Sequence, residues 1–96
     1  MTIDVRCEAT ADGWTCRAAV DDGRTVGDHE VSVSLAAAER LAAARDLTGV
    51  ERLVYETFAF LLEREPRSSI LRSFDLLTVG RYFPEYESEV SQRLAP

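Results

Sequence analysis

The first third of the chain alternates between apolar and polar residues, which is the period of a half-buried β-strand. The alternation covers residues 2–10 and 14–21, and it returns over 26–34 after a turn signal at Asp21-Asp22-Gly23. Three such segments joined by short connections predict a three-stranded antiparallel β-meander with one apolar face. That face needs a cover, which the remainder of the chain is expected to supply.

Turn chemistry predicts how these strands pair. Asp12-Gly13 is a strong signal for a two-residue hairpin turn, since both positions of such a turn need positive φ. With that turn, Glu8 is predicted to lie opposite Arg17 on the polar face. Val26 breaks the alternation of the third strand, so a β-bulge or bend is expected at Gly27.

Helical spacing replaces the strand period after residue 34. Ser34 is suited to cap a helix over about 35–45, and Thr48-Gly49-Val50-Glu51 matches a capping box for a second helix over about 49–65. The second helix is apolar around roughly 200° of its surface, well beyond a one-sided stripe. We therefore expect it at the centre of the core, covered either by its own chain or by a second copy.

The remaining residues read as short helices. Pro66 is expected to end the second helix. Short helices are predicted over about 69–74 and 76–83, and Pro84 suits the first turn of a terminal helix over 84–94. The predicted fold class is therefore α+β: a meander packed on one face by helices, in a single domain over residues 1–96.

Composition limits the classes of function. Charged residues make up 29% of the chain, and no apolar run approaches the roughly 18 residues of a membrane span, so no membrane role is expected. The start of the chain lacks the apolar stretch of a secretory signal, which predicts a cytoplasmic location. The net charge of −6 disfavours polyanions, so nucleic acid is an unexpected partner.

Few residues suggest catalysis or metal binding. Cys7, Cys16 and His29 all fall on the apolar parity of their strands. The cysteines are interpreted as small core residues rather than as a disulfide framework or zinc ligands, and His29 as a residue at the boundary of the core. The glycines fit neither a dinucleotide fingerprint nor a phosphate loop. We expect no catalytic residue, no metal and no cofactor, and therefore no enzyme.

One cluster near the C-terminus has two interpretations. It is either a solvated terminal helix whose aromatic residues pack on the core, or an acidic-aromatic patch that binds a basic protein partner. The residues of this candidate patch are Tyr82, Phe83, Glu85, Tyr86, Glu87 and Glu89.

Residues 53–89 resemble a small family of bacterial single-domain proteins to which no function is assigned. The resemblance is carried by FLLEREP (60–66), SSILRSFDL (68–76) and RYFPEYE (81–87). It implies a natural single-domain protein and brings no catalytic residue, ligand or partner.

A different resemblance supplies the alternative function. Residues 29–65, a short strand followed by two helices, resemble a ribbon-helix-helix unit, in which the strand pairs with its copy in a dimer and reads DNA. The reading positions would be Glu30, Ser32 and Ser34, which carry no basic residue. The leading hypothesis is therefore a non-catalytic accessory or protein-interaction domain. The alternative is a dimeric DNA-binding regulator or antitoxin. The sequence leaves open whether the chain is a monomer or a homodimer.

Overall fold

The fold is described from a computed structural model that covers residues 1–41 and 46–95. It is an α+β fold in which four helices cover one face of a four-stranded sheet. The strands are β1 (Thr2–Thr10), β2 (Gly13–Asp21), β3 (Val26–Ser34) and β4 (Ser73–Asp75). The helices are α1 (Leu35–Arg40), α2 (Leu47–Leu62), α3 (Val79–Tyr82) and α4 (Tyr86–Leu94), with single 3-10 turns at Arg67–Ser69 and Leu76–Thr78.

The sheet confirms the predicted meander and adds a strand to it. The order is β1-β2-β3-β4, with antiparallel pairing through β3 and parallel pairing between β3 and β4. The prediction of a helix over 69–74 was wrong, because the backbone there extends along β3. The amide of Glu30 donates to the carbonyl of Arg72 at 2.7 Å, and the ring of Phe74 packs 6.0 Å from that of Phe58.

The hairpin register differs from the prediction by two residues. Ala11 and Asp12 form the turn, so that Arg6 rather than Glu8 lies opposite Arg17. Gly13 is instead the first residue of β2, paired with Thr10 and Ser34. A Cβ there would lie 2.9 Å from the Cα of Ser34, so the position requires glycine. A two-residue shift keeps every side chain on its predicted face, so the apolar face was predicted correctly in spite of the error.

Gly27 has a different role from the predicted bulge. The pairing of β2 with β3 continues without interruption through Val20 opposite Gly27. A Cβ at Gly27 would lie 2.7 Å from the Cζ atom of Arg67, whose Nε donates to the Thr25 hydroxyl at 3.0 Å. A side chain at this position would therefore displace the guanidinium of Arg67 from its present place. Val26 lies on the outer face and is exposed.

Side-chain caps mark the start of α1 and α2. The hydroxyl of Ser34 accepts from the amide of Ala37 at 3.0 Å, as predicted for α1. The predicted capping box for α2 was wrong: the helix begins two residues earlier, where the carboxylate of Asp46 accepts from the amide of Gly49 at 2.7 Å. Residues 42–45, the end of the predicted helix over 35–45, lie outside the described residues.

Helix α2 forms the centre of the core, as its wide apolar surface predicted. It packs against β1 and β2 on one side and against α4 on the other. Its buried residues are Val50, Leu53, Val54, Thr57, Phe58, Phe60 and Leu61. The chain itself therefore covers most of the apolar surface of α2.

The predicted helix over 76–83 is present as the 3-10 turn Leu76–Thr78 followed by α3, capped by Asp75, whose carboxylate accepts from the amide of Leu77 at 3.1 Å. The terminal helix, predicted over 84–94, begins at Tyr86.

Candidate functional site

A concavity lined mainly by apolar side chains lies beside the C-terminal end of α2. It is an open groove of about 440 Å³, bounded by the end of α2, the segment that leads into β4, and α3. Seven of its ten lining residues are apolar or aromatic. The lining is Leu61, Glu65, Ser69, Ile70, Leu71, Phe74, Thr78, Val79, Tyr82 and Phe83.

Two large side chains of this groove are exposed to solvent. Leu71 is 54% exposed and Tyr82 is 69% exposed, whereas Ile70 and Val79 beside them are buried in the core. An extended segment points successive side chains to opposite sides. The adjacent pair Ile70-Leu71 therefore cannot be buried on one face. The exposure of Leu71 follows from the extended backbone, which the sequence did not indicate.

The structure divides the predicted acidic-aromatic patch between three environments. Tyr82 and Phe83 line the groove, and Phe83 also packs edge-on against Phe60, with ring centroids 5.8 Å apart. The other four patch residues, Glu85, Tyr86, Glu87 and Glu89, do not line it.

Tyr86 lies in the core and is not exposed to a partner. Its side chain is fully buried, and its hydroxyl lies 2.8 Å from that of Thr57. Burial raises the pKa of the Tyr86 phenol well above its usual range, which the hydrogen bond with Thr57 only partly offsets. Of the two interpretations, core packing therefore describes Tyr86.

The acids of the patch are engaged by arginines. The guanidinium of Arg64 contacts Glu89 at 2.9 Å and Glu85 at 3.4 Å, and stacks 3.6 Å above the centre of the Phe60 ring. Arg40 pairs with Glu87 at 2.7 Å. These ion pairs join the acidic face of α4 to α1 and α2 and reduce the free charge that this face offers to a partner.

Glu65 differs from these acids in both position and pairing. Its side chain is half-buried in the lining of the groove, and burial raises the pKa of its carboxyl above the ordinary value. Within residues 1–41 and 46–95, no side chain or backbone group donates a hydrogen bond to this carboxylate or pairs with it. It is the only charged residue in the lining.

The two cysteines form a disulfide, contrary to the sequence-based expectation. Cys7 and Cys16 are directly opposed in the β1–β2 register, with their Cα atoms 4.0 Å apart. The predicted register would have placed Cys7 opposite Ala18, so the error in the turn concealed the pairing. Both cysteines lie in the core, as predicted from their parity.

His29 lies deeper than the predicted boundary position. It is 2% exposed, and its Nδ1 lies 2.7 Å from the carbonyl oxygen of Leu71. A carbonyl only accepts, so Nδ1 carries the proton and donates. Nε2 is buried without a partner among the described residues. The histidine therefore ties β3 to the segment that forms one wall of the groove.

The outer face of the sheet is polar and uncovered. Arg6 and Arg17 are directly opposed there, and acidic residues surround them, with Glu30 4.0 Å from Arg17 and Asp4 4.0 Å from Arg6. The pairs are exposed and long, so each contributes little to stability.

No group of three or more His, Cys, Asp or Glu side chains in residues 1–41 and 46–95 could hold a metal ion. Within the same ranges, no helix has the length and apolar character needed to cross a membrane.

Comparison of the chain with protein-family models, with curated proteins and with solved structures finds no match. The resemblance of residues 53–89 to a bacterial family therefore stays a prediction.

Proposed function

We propose that this chain is a non-catalytic protein-interaction domain that binds an apolar segment of a partner protein in the groove beside α3. The proposal rests on two exposed large side chains, Leu71 and Tyr82, that line a groove of about 440 Å³. Concave sites of this size bind ligands, and clustered exposed apolar surface is typical of interaction sites.

Burial of these side chains supplies the driving force for binding. Covering a large apolar side chain contributes about 1.5–3 kcal/mol when it is fully removed from water. Leu71 and Tyr82 are more than half exposed, so a partner that covers both would gain a large part of that amount at each. Tyrosine also provides a rigid aromatic anchor, which is favoured at binding hot spots.

The groove lining favours binding over catalysis. Its polar side chains are one carboxylate, Glu65, and the hydroxyls of Ser69 and Thr78. No histidine or cysteine is among the lining residues, so neither hydroxyl has the adjacent imidazole that commonly activates a nucleophile. This supports the view that the domain is not an enzyme.

Selection from a random peptide library displayed on phage tests the proposal. We expect the wild-type protein to enrich apolar peptides whose binding is lost in Leu71→Ser and Tyr82→Ser. Leu47→Ser and Tyr55→Ser are matched controls, because these residues are 47% and 45% exposed but lie outside the groove. The controls should bind the selected peptides as the wild type does.

Two results would contradict the proposal. One is a failure of the wild-type protein to enrich any peptide, and the other is binding that survives both groove substitutions. Light scattering on a size-exclusion column provides an independent check of the free state. A mass near 10.7 kDa would leave the groove open to a partner.

The ribbon-helix-helix alternative ranks lower as a proposal. It requires β3 to pair with β3 of a second copy, but β3 is already bonded to β2 on one edge and to β4 on the other. Ser32, one of its reading positions, also donates to Asp75 at 3.1 Å. Specific DNA binding by a dimer in low salt, lost on replacing Glu30 and Ser32, would favour this alternative over groove binding.

A cytoplasmic location is also a proposal, and Cys7 and Cys16 test it. Disulfides are uncommon in the cytosol, so a cytoplasmic chain should carry both residues mostly as thiols in the living cell. Trapping the thiols with an alkylating agent at lysis measures this directly. A fully formed disulfide in freshly trapped cells would instead assign the protein to an oxidising compartment.

A further inference from the structure

We infer that the occupant of the groove is a short apolar protein segment that carries a Lys or Arg side chain and places it against Glu65. This inference rests on the proposed function and adds the chemistry of the partner to it. It starts from the charge of Glu65 and from the apolar surroundings of that charge.

Glu65 is an uncompensated charge in an otherwise apolar lining. Three other acids are matched by arginines: Glu63 with Arg93 at 2.7 Å, and Glu85 and Glu89 with Arg64. No such partner is present for Glu65 within the described ranges. An occupant with only apolar groups would remove the remaining water from this carboxylate and leave it unpaired, which is unfavourable.

A cationic side chain resolves this problem. It would pair with the Glu65 carboxylate as water leaves the groove, and a partly desolvated ion pair is stronger than an exposed one. The aromatic rings of Tyr82 and Phe83 line the same groove and interact favourably with a nearby cation. The net charge of −6 attracts a basic segment at long range.

Two arginines near the groove need consideration. Arg72 directly follows Leu71 in the chain, and Arg81 directly precedes Tyr82. Both arginines are exposed and neither lines the groove. Water screens such exposed charges, whereas the charge that an occupant meets inside the groove is that of Glu65. The negative charge of Glu65 in the groove lining therefore favours a cationic occupant.

A pair of synthetic peptides tests the inference. Both are blocked peptides of about four helical turns with leucines along one face. One carries lysines at positions that flank the leucine face, so that a lysine can lie against the groove lining, and the second carries glutamines at the same positions. Titrations followed by amide chemical shifts are made with the wild-type protein, Glu65→Gln, and the control Glu8→Gln, which removes an equal charge from the outer face of the sheet.

We expect the lysine peptide to bind the wild type about three- to tenfold more tightly than the glutamine peptide. The ratio should fall to about one in Glu65→Gln and stay unchanged in Glu8→Gln. Shifts at residues of the groove that are lost in Leu71→Ser would locate both peptides there.

The contradicting results are distinct for the two proposals. Equal binding of the two peptides in the groove, or a ratio that survives Glu65→Gln, would overturn the inference and leave the groove as a binding site. Binding unaffected by Leu71→Ser, or no binding of either peptide, would overturn the proposed function as well. A dimer that dissociates in Tyr82→Ser would identify a second copy as the occupant and overturn the inference.

Discussion

The hydroxyl oxygens of Tyr86 and Thr57 lie 2.8 Å apart in the interior, with both side chains fully buried. The Thr57 oxygen also lies 2.8 Å from the carbonyl oxygen of Leu53, and a carbonyl accepts only. Thr57 therefore uses its single proton on Leu53, and Tyr86 donates to Thr57. This directional chain ties α4 to α2.

The direction of the chain predicts unequal costs for its two ends. Tyr86→Phe removes a donor and leaves no buried donor unpaired, so we expect a loss of about 1 kcal/mol in the free energy of unfolding. Thr57→Val leaves the Tyr86 hydroxyl without an acceptor and should cost more, about 1–3 kcal/mol. Chemical denaturation of both variants and of the double variant measures these values. Adding Tyr86→Phe to Thr57→Val should recover part of the loss, and a double variant less stable than Thr57→Val would contradict the assigned direction.

Tyr86 also predicts a loss of stability in alkali. Burial raises the pKa of its phenol above the ordinary value of 10.0, so the unfolded chain releases this proton first as the pH rises. The stabilisation is therefore complete below pH 10 and decreases above it. We expect wild-type stability to fall more steeply than that of Tyr86→Phe between about pH 10 and 12. Parallel slopes for the two proteins would rule out this role.

The turn between β2 and β3 predicts a dependence on acid. Backbone amides of Thr25, Arg24 and Arg67 donate to the Asp22 carboxylate and lower its pKa from 3.8 to about 2. A lowered pKa stabilises the fold above pH 3.8, and this contribution is lost as the pH falls through about 2. Asp22→Asn should therefore unfold at lower denaturant concentration than wild type at pH 6, with a difference that closes as the pH approaches 2.

The matched control for this experiment is Asp28→Asn. Asp28 is an exposed residue whose carboxylate has no hydrogen bond to any described residue. Its replacement removes the same charge but leaves the hydrogen bonds of the turn intact. A difference between Asp22→Asn and wild type that stays constant from pH 6 to pH 2 would contradict the assignment.

The Cys7–Cys16 disulfide predicts a redox-dependent stability. The bond joins residues nine positions apart, and closing a loop of this length in the unfolded chain is worth up to about 2.5 kcal/mol. Reduced wild type and the double variant Cys7→Ala/Cys16→Ala should both unfold at lower denaturant concentration than oxidised wild type. Unchanged unfolding after complete reduction, verified by mass spectrometry of the alkylated thiols, would contradict this contribution.

Local periodicity was sufficient to predict the strands β1–β3, the central helix and the buried face. It failed where a contact between distant segments decides the structure. Gly13 is a turn residue by local preference, but it pairs with Ser34 of β3, and the backbones approach too closely there for a side chain. Residues 73–75 form a strand because β3 offers a free edge, which no local pattern records.

The candidate site was predicted only in part for the same reason. Tyr82 and Phe83 were selected because aromatic residues near acids suggest a binding surface. Glu65 and Phe74, which complete the groove, lie apart from them in sequence and meet them only through the fold. For Tyr86 the sequence left core packing and a binding surface both open, because sequence alone does not show that α4 turns this residue toward Thr57.

The open edge of the sheet carries the last prediction. β1 is an edge strand of nine residues, and the amide of Cys7 at its centre points away from β2 and donates to the Glu51 carboxylate at 2.9 Å. Long unprotected edges favour pairing with another chain, and a charge placed on the edge prevents it. We therefore expect Glu51, which α2 holds against this edge, to oppose the pairing of β1 with another chain.

Removing the Glu51 carboxylate should allow two copies to associate through β1. An antiparallel copy of β1 centred on Val5 would place Asp4 opposite Arg6 twice and would need the amide of Cys7 to bond with the copy's Ile3. Glu51→Ala frees that amide, so we expect an increase in mean mass with protein concentration, measured by light scattering. Glu51→Gln keeps an acceptor at the edge, so its mean mass should stay that of a monomer. The same is expected of Glu56→Ala, which removes an acid elsewhere on α2. A Glu51→Ala protein that retains its circular dichroism spectrum and stays monomeric at millimolar concentration would show that the edge is protected by other means.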